Sequence, residues 1–492
     1  PKLSDFKKDL EIPGINKALG RVLGAIKHQE LILVYGDYDA DGLCATAVMY
    51  LGLTAAGAKV LPYIPHREKE GYGLSRVGLE VAKEKGAKLV ITVDNGIAAL
   101  EAAQEAEKLG LDLIITDHHL PKETLPKALA IVHSTAMCGA AVSWCLVRQL
   151  IDESIADDLL DLVAIAAVCD MMPMIGVNRA LTKIGLEKLN QTKKVGLLAL
   201  MKQAQLQKGK INAYHIGHVL GPRLNAKGRL EHSLDTLRLL CTKDAAKARD
   251  LANMLGDTND QRKQLVEEGL MLARSLAKGN NKNIMVLESE TWIPGITGLI
   301  AGKIREEYNL PTIVISKGEE FSKGSARSIN GLNIVETIRQ CSEILVDVGG
   351  HPGAAGFTIT TEKIGLFKTK LAQICDGMKM DQTDKLVIEA VVKTDQLSLA
   401  AAYDLTKFEP TGVSNLKPIL ASLGVKLSDL KTVGGGQHLK GRTNGVNFIA
   451  FGMGNLIDEL SAKEIVDLAY YLDIDDFDGN EKIQLKVLDV QY

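Results

Sequence analysis

Three aspartates at alternate positions, Asp37, Asp39 and Asp41, are the residues whose type and spacing most directly indicate chemistry in this sequence. They follow an apolar run, Leu31–Tyr35, and precede Gly42. Carboxylates this close together repel one another, so they add nothing to a fold unless a cation lies among them. The pattern therefore predicts a divalent-metal site at the end of a strand.

Further polar side chains stand at the ends of the apolar segments that follow. They are His66 and Arg67 after the second segment, Asp94 and Asn95 after the third, and Asp117, His118 and His119 after the fourth. Because the carboxyl ends of parallel strands form the crevice in which ligands bind, we expect these side chains to converge. A largely apolar helical segment, 161–169, then leads to Asp170. That carboxylate would be costly to bury unless it were paired or coordinated.

Carboxylate oxygens combined with imidazole suit Mn²⁺ or Mg²⁺, and the histidines favour Mn²⁺ over Ca²⁺. Two ions about 3.5–4 Å apart are the arrangement that phosphoryl chemistry uses. The competing interpretation is that Asp and Asn at strand ends are helix caps and turn formers. For Asn95 alone we favour the cap, whereas three alternating aspartates plus an Asp-His-His triplet favour the metal. Cys44 and Cys169 are placed like small core residues, which argues against a cysteine nucleophile.

The 492-residue sequence has an ordinary globular composition, with 46% hydrophobic and 24% charged residues. Its length predicts three or four structural units. No apolar run reaches the length of a membrane span, and the first residues lack the apolar core of a signal peptide. Seven cysteines without a CxxC pair indicate neither a disulfide framework nor a zinc site, so we expect a cytoplasmic protein. With a net charge of −3, any nucleic acid must meet a local basic surface.

Changes of pattern along the chain predict an α/β protein in five segments. These are a helical lead at 1–30, a parallel-sheet α/β domain at 31–180, a helical connector at 181–280, a second α/β domain at 281–380 and an OB-like β-barrel at 381–492. Within the connector, residues 242–278 predict one long helix with a break near Gly256. Within the second α/β domain, GSARSI at 324–329 predicts an edge strand or a turn.

The connector contains a basic stretch, Lys188–Arg229, without a single Asp or Glu. Such segregation of charge would attract a phosphate backbone, although a solvated helical face is the simpler alternative. Within the stretch, HVLGPRLNAKGRL at 218–230 contains glycines, a proline and Asn225, and it predicts a break in regular structure around Arg223 and Arg229. Arginine forks bind phosphate bidentately, so these two arginines are candidates for substrate contacts.

A glycine-rich stretch, VGGHPGAAG at 348–356, is the notable feature of the second α/β domain. Small residues let a backbone approach a ligand closely, and His351 is the one imidazole in the stretch. A plain turn between two strands is an equally simple interpretation.

Taken together, these motifs resemble those of the DHH phosphoesterase superfamily. DYDADG at 37–42, VDNGI at 93–97, TDHH at 116–119 and the segment ending in Asp170 match its four motifs. Their order and spacing are similar to those of the RecJ family of single-strand-specific 5′→3′ DNA exonucleases. The resemblance implies a two-metal phosphodiesterase whose ligands are Asp37, Asp39, Asp94, His118 and Asp170. It implies that Asp94 bridges the ions, that Asp41 and His119 also belong to the catalytic site, and that His119 binds metal or contacts the scissile phosphate.

The resemblance also implies a set of substrate contacts. GPRLNAKGR is similar to a family motif, which implies that Arg223, Asn225 and Arg229 touch DNA or hold the cleft shut. GGHPGAAG resembles the GGH motif of the DHHA1 domain, which implies that Gly349, Gly350 and His351 meet the substrate and that His351 binds the scissile region or assists the leaving group. Ser325 and Arg327, with Arg67 from the first domain, resemble the trio that grips a 5′-terminal phosphate.

The resemblance extends to the C-terminal barrel and implies single-stranded DNA as the partner. A helicase or a single-strand-binding protein is a further candidate partner, and a monomer is the expected state. The barrel has few aromatic residues, and Phe448 and Phe451 are candidates for its core. The segment between His133 and Ala141 is shorter than its family counterpart, which we expect to alter the rim of the cleft more than the ligands.

Three alternative functions compete with this hypothesis. A phosphodiesterase for short oligoribonucleotides or cyclic dinucleotides would not need the connector or the barrel. A DNA-binding scaffold without activity would have lost ligands, and every ligand residue is present. A hydrolase like the type II pyrophosphatases would lack the nucleic-acid surface.

Overall fold

Five short apolar segments form the first sheet. The computed structural model describes residues 2–67, 70–71, 73–279, 283–376, 385–476 and 479–492. The strands are β1 (Leu31–Tyr35), β2 (Lys59–Tyr63), β3 (Leu89–Val93), β4 (Asp112–Asp117) and β5 (Ala130–His133). They pair in parallel in the order β2-β1-β3-β4-β5, so the carboxyl ends of β1, β3 and β4 lie side by side. The parallel sheet predicted from the Val, Ile and Leu runs is confirmed.

Seven helices precede, separate or follow these strands. They are α1 (Ile15–Lys27), α2 (Ala40–Ala55), α3 (Arg76–Glu84), α4 (Leu100–Lys108), α5 (Gly139–Val147), α6 (Glu153–Asp158) and α7 (Leu160–Cys169). The strands are buried because helices cover them, and Ile32, Leu33 and Val34 of β1 have no exposed surface. The helices α2, α5 and α7 are apolar on nearly all sides and pack on one another, so the residues that begin or end them are held rigidly.

The middle of the chain is helical, as predicted. Its elements are α8 (Gly176–Gln191), α9 (Val195–Gln203), α10 (Ala213–His215), a π-helical turn (Ile216–Leu220), α11 (Gly221–Leu230), α12 (Leu234–Cys241) and α13 (Ala245–Ala277). The predicted break around Arg223 and Arg229 is wrong, because both lie within α11. Pro222 falls in the first turn of α11, where a helix does not need the missing N–H. Gly228 serves close packing, since a Cβ there would lie 2.5 Å from the Tyr38 carbonyl oxygen.

The long helix α13 is continuous over 33 residues, so the predicted break near Gly256 is also wrong. Gly256 makes room for a neighbouring side chain, since a Cβ there would lie 1.8 Å from Gln203 Nε2 of α9. A helix interior tolerates glycine at a modest cost, and here the missing side chain permits the close packing of α9 on α13.

The second α/β domain contains a mixed sheet in the order β6-β7-β8-β10-β9. Its elements are β6 (Met285–Ser289), α14 (Pro294–Tyr308), β7 (Thr312–Ser316), β8 (Phe321–Arg327), α15 (Ile334–Arg339), β9 (Leu345–His351), β10 (Ala354–Thr360) and α16 (Ile364–Asp376). The GSARSI segment is neither an edge nor a turn along 324–327, because β8 pairs with β7 on one side and with β10 on the other. The glycine-rich stretch forms the β9–β10 hairpin.

The C-terminal segment forms a seven-stranded sheet with two helices. Its elements are β11 (Ala390–Val391), α17 (Leu399–Thr406), β12 (Leu420–Val425), β13 (Leu427–Val433), β14 (His438–Thr443), β15 (Val446–Ala450), α18 (Ile457–Ser461), β16 (Val466–Asp475) and β17 (Lys482–Gln491). Phe448 is buried in its core as expected, whereas Phe451 is 56% exposed. In β15 the alternation of faces places Phe448 inward, and Phe451 lies just beyond the end of the strand.

Contacts divide the chain into two compact units, 1–170 with 184–383 and 171–183 with 384–492. All of the site residues predicted from the sequence, except Asp170 at the boundary, lie well inside the first unit. Among the described residues, no helix is both long enough and apolar enough to span a bilayer.

Candidate active site

The loop after β1 brings its three aspartates into different environments. Asp39 is the N-cap of α2, and its Oδ1 accepts a hydrogen bond of 3.0 Å from the Gly42 amide. Asp41 lies in the first turn of α2, and its two oxygens accept hydrogen bonds from the amides of Gly139 (2.7 Å) and Ala140 (2.8 Å) at the start of α5. Asp37 is 2% exposed. The start of α2 therefore holds Asp39, the start of α5 holds Asp41, and Asp37 is buried between the strand and α2 in the chain.

Asp94 follows β3 in a backbone conformation that few side chains adopt. Its φ is 63°, in the left-handed region, which is found at sites where the surroundings enforce a special geometry. Gly139 packs directly on it, since a Cβ at Gly139 would lie 2.5 Å from Asp94 Oδ1. Asn95 is not the helix cap that we predicted: its Nδ2 donates to the carbonyl oxygens of Tyr35, Gly36 and Val93, and it thereby ties the ends of β1 and β3 together.

The end of β4 orients two histidines. His118 Nε2 lies 3.0 Å from Asp94 Oδ1 and 3.7 Å from a carboxylate oxygen of both Asp41 and Asp170. His119 Nδ1 lies 2.8 Å from Asp117 Oδ1. Asp117 is itself buried, and its oxygens also accept the amides of Ile97, His118 and His119. This carboxylate fixes the turn that carries both imidazoles.

The structure thus brings together all the predicted metal ligands. Their donor atoms form three overlapping groups within 4.8 Å: Asp37, Asp39 and Asp94; Asp94, His118 and His119; and Asp41, His118 and Asp170. Asp94 and His118 each belong to two groups. The arrangement has room for more than one cation, with shared ligands between them.

Burial and mutual repulsion shift the acid–base equilibria of this cluster. Burial, followed by the charge of Asp39, raises the pKa of Asp37 well above its usual range. Burial raises the pKa of Asp41 to about 7 and that of Asp170 to about 8, with neighbouring carboxylates adding to the effect. Burial, followed by the charge of Asp41, also raises the pKa of Asp94 strongly. The cluster therefore disfavours four negative charges unless cations neutralise them.

The two histidines are shifted in opposite directions. Burial, with the charge of His119, lowers the pKa of His118 to about 4, so this imidazole is neutral at pH 7 and can act as a ligand. Burial also lowers the pKa of His119, but its hydrogen bond to Asp117 and the charge of that carboxylate outweigh this and raise it to about 9. His119 is therefore cationic at pH 7 in the absence of metal.

The donor set fits divalent cations. Asp37 Oδ1 is a buried carboxylate oxygen that accepts no hydrogen bond from any described residue. A buried charged oxygen without a donor needs a cation or a proton, and hard oxygen donors with one or two imidazoles suit Mn²⁺ and Mg²⁺.

A second cluster lines a cavity of about 390 Å³ between the two α/β domains. Arg67, Arg229 and Ser325 contribute to its lining, and so does Tyr38, which lies between Asp37 and Asp39 in the chain. The Arg67 guanidinium lies 5.2 Å from the centre of the Tyr38 ring. A charged pocket and the carboxylate cluster therefore share one loop.

Strand pairing places the predicted residues of the second domain in two rows. Arg327, Ala354 and His351 are cross-strand neighbours on β8, β10 and β9. Ser325, Gly356 and Gly349 form the next row on the same face, since alternate residues of a strand point the same way. Ser325 Oγ accepts a hydrogen bond of 3.0 Å from Thr297.

Gly350 pairs with Ala355 between these two rows, and Arg327 and His351 differ from Ser325 in their surroundings. Gly350 has a φ of 141° and packs against β10, where a Cβ would lie 2.3 Å from the Ala354 carbonyl oxygen. Arg327 is part-buried beside Gly298, while His351 is exposed. Neither Arg327 nor His351 lines the cavity that contains Ser325.

Of the four connector residues considered next, Arg229 lines the cavity and the other three lie outside it. Arg229 Nη1 donates to the Gly295 carbonyl oxygen (3.2 Å), and burial lowers its pKa to about 10. Asn225 Oδ1 accepts the Ala40 amide (2.7 Å), so it braces the metal-site loop. Arg223 lies outside the cavity and donates through Nε to Gln203 (2.8 Å). Lys194 of the basic stretch is structural, because its Nζ lies 2.9 Å from the buried Asp161 carboxylate.

Sequence reasoning missed two parts of the site. Asp117 was present in the TDHH pattern, but its role in holding His119 required the structure. Gly139 and Ala140 belong to the segment that we expected to affect the rim of the cleft more than the ligands, yet their amides bind Asp41. No local pattern could reveal a contact between segments so far apart in the chain.

Comparisons with known proteins identify the domains that carry these residues. Three family models match the chain: the DHH family N-terminal domain over 31–167, the DHHA1 domain over 281–377 and the RecJ OB domain over 388–489. The single-stranded-DNA-specific exonuclease RecJ of Escherichia coli strain K12 is 31% identical over 528 residues, which cover 96% of this chain and 90% of that protein. The chain belongs to the RecJ family.

Other RecJ proteins show similar correspondence. RecJ of Bacillus subtilis strain 168 is 34% identical over 99% of this chain, and the chain spans 64% of the length of that relative. The crystal structure of Thermus thermophilus RecJ in complex with Mn²⁺ superposes with a TM-score of 0.87 at 28% identity, covering 98% of this chain and 72% of that one. A structure of the same RecJ protein with Mg²⁺ gives a TM-score of 0.79 at 27% identity, covering 98% and 70% of the two chains. The expected architecture of DHH, DHHA1 and OB domains is confirmed.

Proposed function

We propose that this RecJ-family chain is a metal-dependent exonuclease that hydrolyses single-stranded DNA from its 5′ end. One observation carries the proposal: Tyr38 lines the cavity that contains Arg67, Arg229 and Ser325, while its chain neighbours Asp37 and Asp39 belong to the carboxylate cluster. A terminal phosphate bound in that cavity would place the next phosphodiester bond beside the metal ligands. The relatives named as single-stranded-DNA-specific exonucleases support the same substrate.

In this proposal Asp37, Asp39, Asp94, His118 and Asp170 hold Mn²⁺ or Mg²⁺, with Asp94 serving two ions. When bound, the cations activate water and neutralise the charge that develops on the phosphate. The amides of α5 keep Asp41 oriented toward His118 and Asp170, so Asp41 either completes the ligand set or positions it.

His119 contributes a positive charge next to the reacting phosphate. Asp117 holds its Nδ1 side, which leaves Nε2 to face away from that carboxylate. An imidazolium in this position donates a hydrogen bond to a phosphate oxygen and stabilises negative charge. Metal binding would lower the pKa of His119 by adding positive charge nearby, so the phosphate must help to keep the proton there.

The 5′ specificity comes from the charged cavity. A terminal phosphate carries more negative charge than an internal one, and two arginines with a hydroxyl favour it. Arg327 lies two residues from Ser325 on the same strand face, and its positive charge would add to that of the two cavity arginines. His351, Gly349 and Gly350 form the opposite strand edge, where His351 would meet the scissile region or the leaving group.

Single-stranded DNA is the partner of this proposed enzyme. Arg223 and Arg229 of α11 contact its backbone, Asn225 braces the metal-site loop, and the OB domain offers a further surface. A helicase or a single-strand-binding protein as a partner, a monomeric state and a cytoplasmic location stay predictions.

The decisive experiment is a digest of 5′-labelled and 3′-labelled DNA and RNA, single- and double-stranded, with Mn²⁺, Mg²⁺ or EDTA. We expect the 5′ label of single-stranded DNA to be released first as a mononucleotide, the duplex to resist and EDTA to stop the reaction. Earlier release of the 3′ label, or faster hydrolysis of short oligoribonucleotides than of DNA, would refute the proposal.

A further inference from the structure

Three arginines of the connector interact electrostatically, and Asp260 is an acid whose charge acts on two of them, Arg223 and Arg262. Arg223 donates to Gln203 Oε1 (2.8 Å) and to the Val219 carbonyl oxygen (2.9 Å), and Arg229 donates to the Gly295 carbonyl oxygen. The third is Arg262, which belongs to α13, and this helix packs against α11. Among the described residues, no carboxylate lies within salt-bridge distance of any of the three.

The face of α13 next to Arg223 has polar atoms that the chain does not satisfy. Gln203, which holds Arg223, lies against Gly256 of α13. One turn later comes Asn259, which has no exposed surface and whose amide nitrogen and oxygen both lack a partner among the described residues. Arg262 follows at i+3, and its buried Nε also lacks a partner within that part of the chain. Native structures rarely leave such atoms unsatisfied, so a polar ligand or ordered water completes this face.

Electrostatics agree that the missing ligand is an anion. Burial, followed by the positive charge of Arg223, lowers the pKa of Arg262. The charges of Arg67, Arg262 and Arg327 add to the burial that lowers the pKa of Arg229. The charge of Asp260 opposes the shifts of Arg223 and Arg262, but this carboxylate also binds Lys263 at 2.8 Å and forms no salt bridge with either arginine. The mutual repulsion of these positive charges is offset when a polyanion lies among them.

We propose that Arg262 is a DNA-binding residue that contacts a backbone phosphate between those held by Arg223 and Arg229. The rise of an α-helix, 1.5 Å per residue, separates Arg223 and Arg229 by about 9 Å along the axis of α11. Two or three successive phosphates of a single strand span about that length. Arg229 lines the 5′-phosphate cavity, so the phosphate on Arg262 lies on its 3′ side. Asn259, one turn earlier and without exposed surface, would hold an ordered water next to this guanidinium. The inference rests on the proposed function and adds a residue from a helix that no sequence motif marked.

The test is the salt dependence of binding to a fluorescent oligothymidylate in EDTA, where hydrolysis does not interfere. Each phosphate contact contributes about 0.7 to the slope of log K against log salt for single strands. We expect Arg262→Gln to reduce the magnitude of that slope by about 0.7 and Arg262→Lys to restore it with a lower affinity. Arg249→Gln, an exposed arginine several turns earlier on α13, should leave the slope unchanged.

An unchanged slope for Arg262→Gln, or an equal reduction for Arg249→Gln, would overturn the inference. A loss of binding caused by misfolding would appear as a lower melting temperature without restoration by Arg262→Lys, and this outcome also counts against it. The proposed function fails separately: a wild-type protein that shows the Arg262-dependent slope but does not hydrolyse DNA with Mn²⁺ would refute the exonuclease while leaving the DNA contact intact.

Discussion

His118 Nε2 lies 3.0 Å from Asp94 Oδ1, and the pair joins the ends of two adjacent strands. Because the pKa of His118 is lowered to about 4, the imidazole is neutral at pH 7 and offers a lone pair rather than a positive charge. Such a neutral imidazole beside a carboxylate is suited to serve with it as a pair of metal ligands. Asp94 also belongs to the group formed with Asp37 and Asp39, so it connects both halves of the cluster.

Asp94→Asn should abolish hydrolysis while single-stranded DNA still binds. Asn adopts positive φ more readily than most residues, so the change removes charge with little backbone strain. We expect the turnover rate with Mn²⁺ to fall by at least about 10²-fold, as for the loss of a central electrostatic contact. Asp250→Asn on the exposed face of α13 is the control and should retain full activity. Substantial hydrolysis by Asp94→Asn would exclude the ligand assignment.

Without metal, the protein should lose stability as pH rises. The folded-state pKa values of Asp41 (about 7) and Asp170 (about 8) lie above the ordinary value of 3.8, so between these limits the folded protein holds protons that the unfolded chain releases. Stability is therefore highest at the acidic end and falls as pH rises through about 8. We expect the melting temperature in EDTA to fall by at least about 4 °C between about pH 5.5 and about pH 8.5.

Mn²⁺ should remove much of this pH dependence, because it replaces the protons as the neutralising charge. The double variant Asp41→Asn with Asp170→Asn should melt with a flatter pH profile in EDTA. A wild-type melting temperature that rises over the same pH range would contradict the raised pKa values of the cluster.

Gly139→Ala should impair catalysis because its Cβ would lie 2.5 Å from Asp94 Oδ1. The clash displaces the Asp94 carboxylate and disturbs the amide that binds Asp41. We expect kcat to fall at least about tenfold, since small displacements of reacting groups are costly. Gly20→Ala is the matched control, since no atom lies within 4 Å of a Cβ at that position on α1. Equal kcat values for the two variants would show that the Asp94 position tolerates displacement.

Lys194→Met should destabilise the fold without changing the activity of the folded fraction. Lys194 lies 2.9 Å from Asp161, which is 1% exposed and would be left with an uncompensated buried charge. Removing one partner of such a pair costs about 3 kcal/mol or more in the free energy of unfolding. Lys193→Met removes an exposed neighbouring lysine and should cost little. Urea denaturation compares the two, and similar unfolding free energies would mean that the Asp161 pair does not stabilise the fold.

Arg327→Ala should weaken the preference for 5′-phosphorylated ends. Its part-buried guanidinium lies on the strand face of Ser325 without lining the cavity, so we expect its positive charge to favour the more highly charged terminal phosphate at short range. We expect the ratio of the rates on phosphorylated and unphosphorylated single strands to fall about tenfold. Arg339→Ala removes an exposed arginine paired with Glu336 and should leave the ratio unchanged. An unaltered ratio for Arg327→Ala would assign end recognition to other residues.

The predictions from sequence failed where packing overrode local propensity. The glycines and proline of HVLGPRLNAKGRL indicated irregular structure, but Gly228 provides close contact inside a helical assembly. Gly256 in α13 likewise allows close packing, because it makes room for Gln203 of α9. A glycine that breaks a helix and a glycine that lets two helices approach look alike in one sequence, because the difference lies in a partner far along the chain.

The sequence by itself determined the order of the elements and the candidate metal ligands at the strand ends. The apolar runs that form strands and the helical segments between them are local properties of the sequence. Parallel pairing then places the carboxyl end of every strand at the same edge of the sheet. Only the tertiary structure decided that Gly139 and Ala140 hold Asp41, that Lys194 neutralises Asp161, and that Arg262 stands beside Arg223. These contacts join distant segments whose approach depends on how side chains fill space, and no local period in the sequence records that.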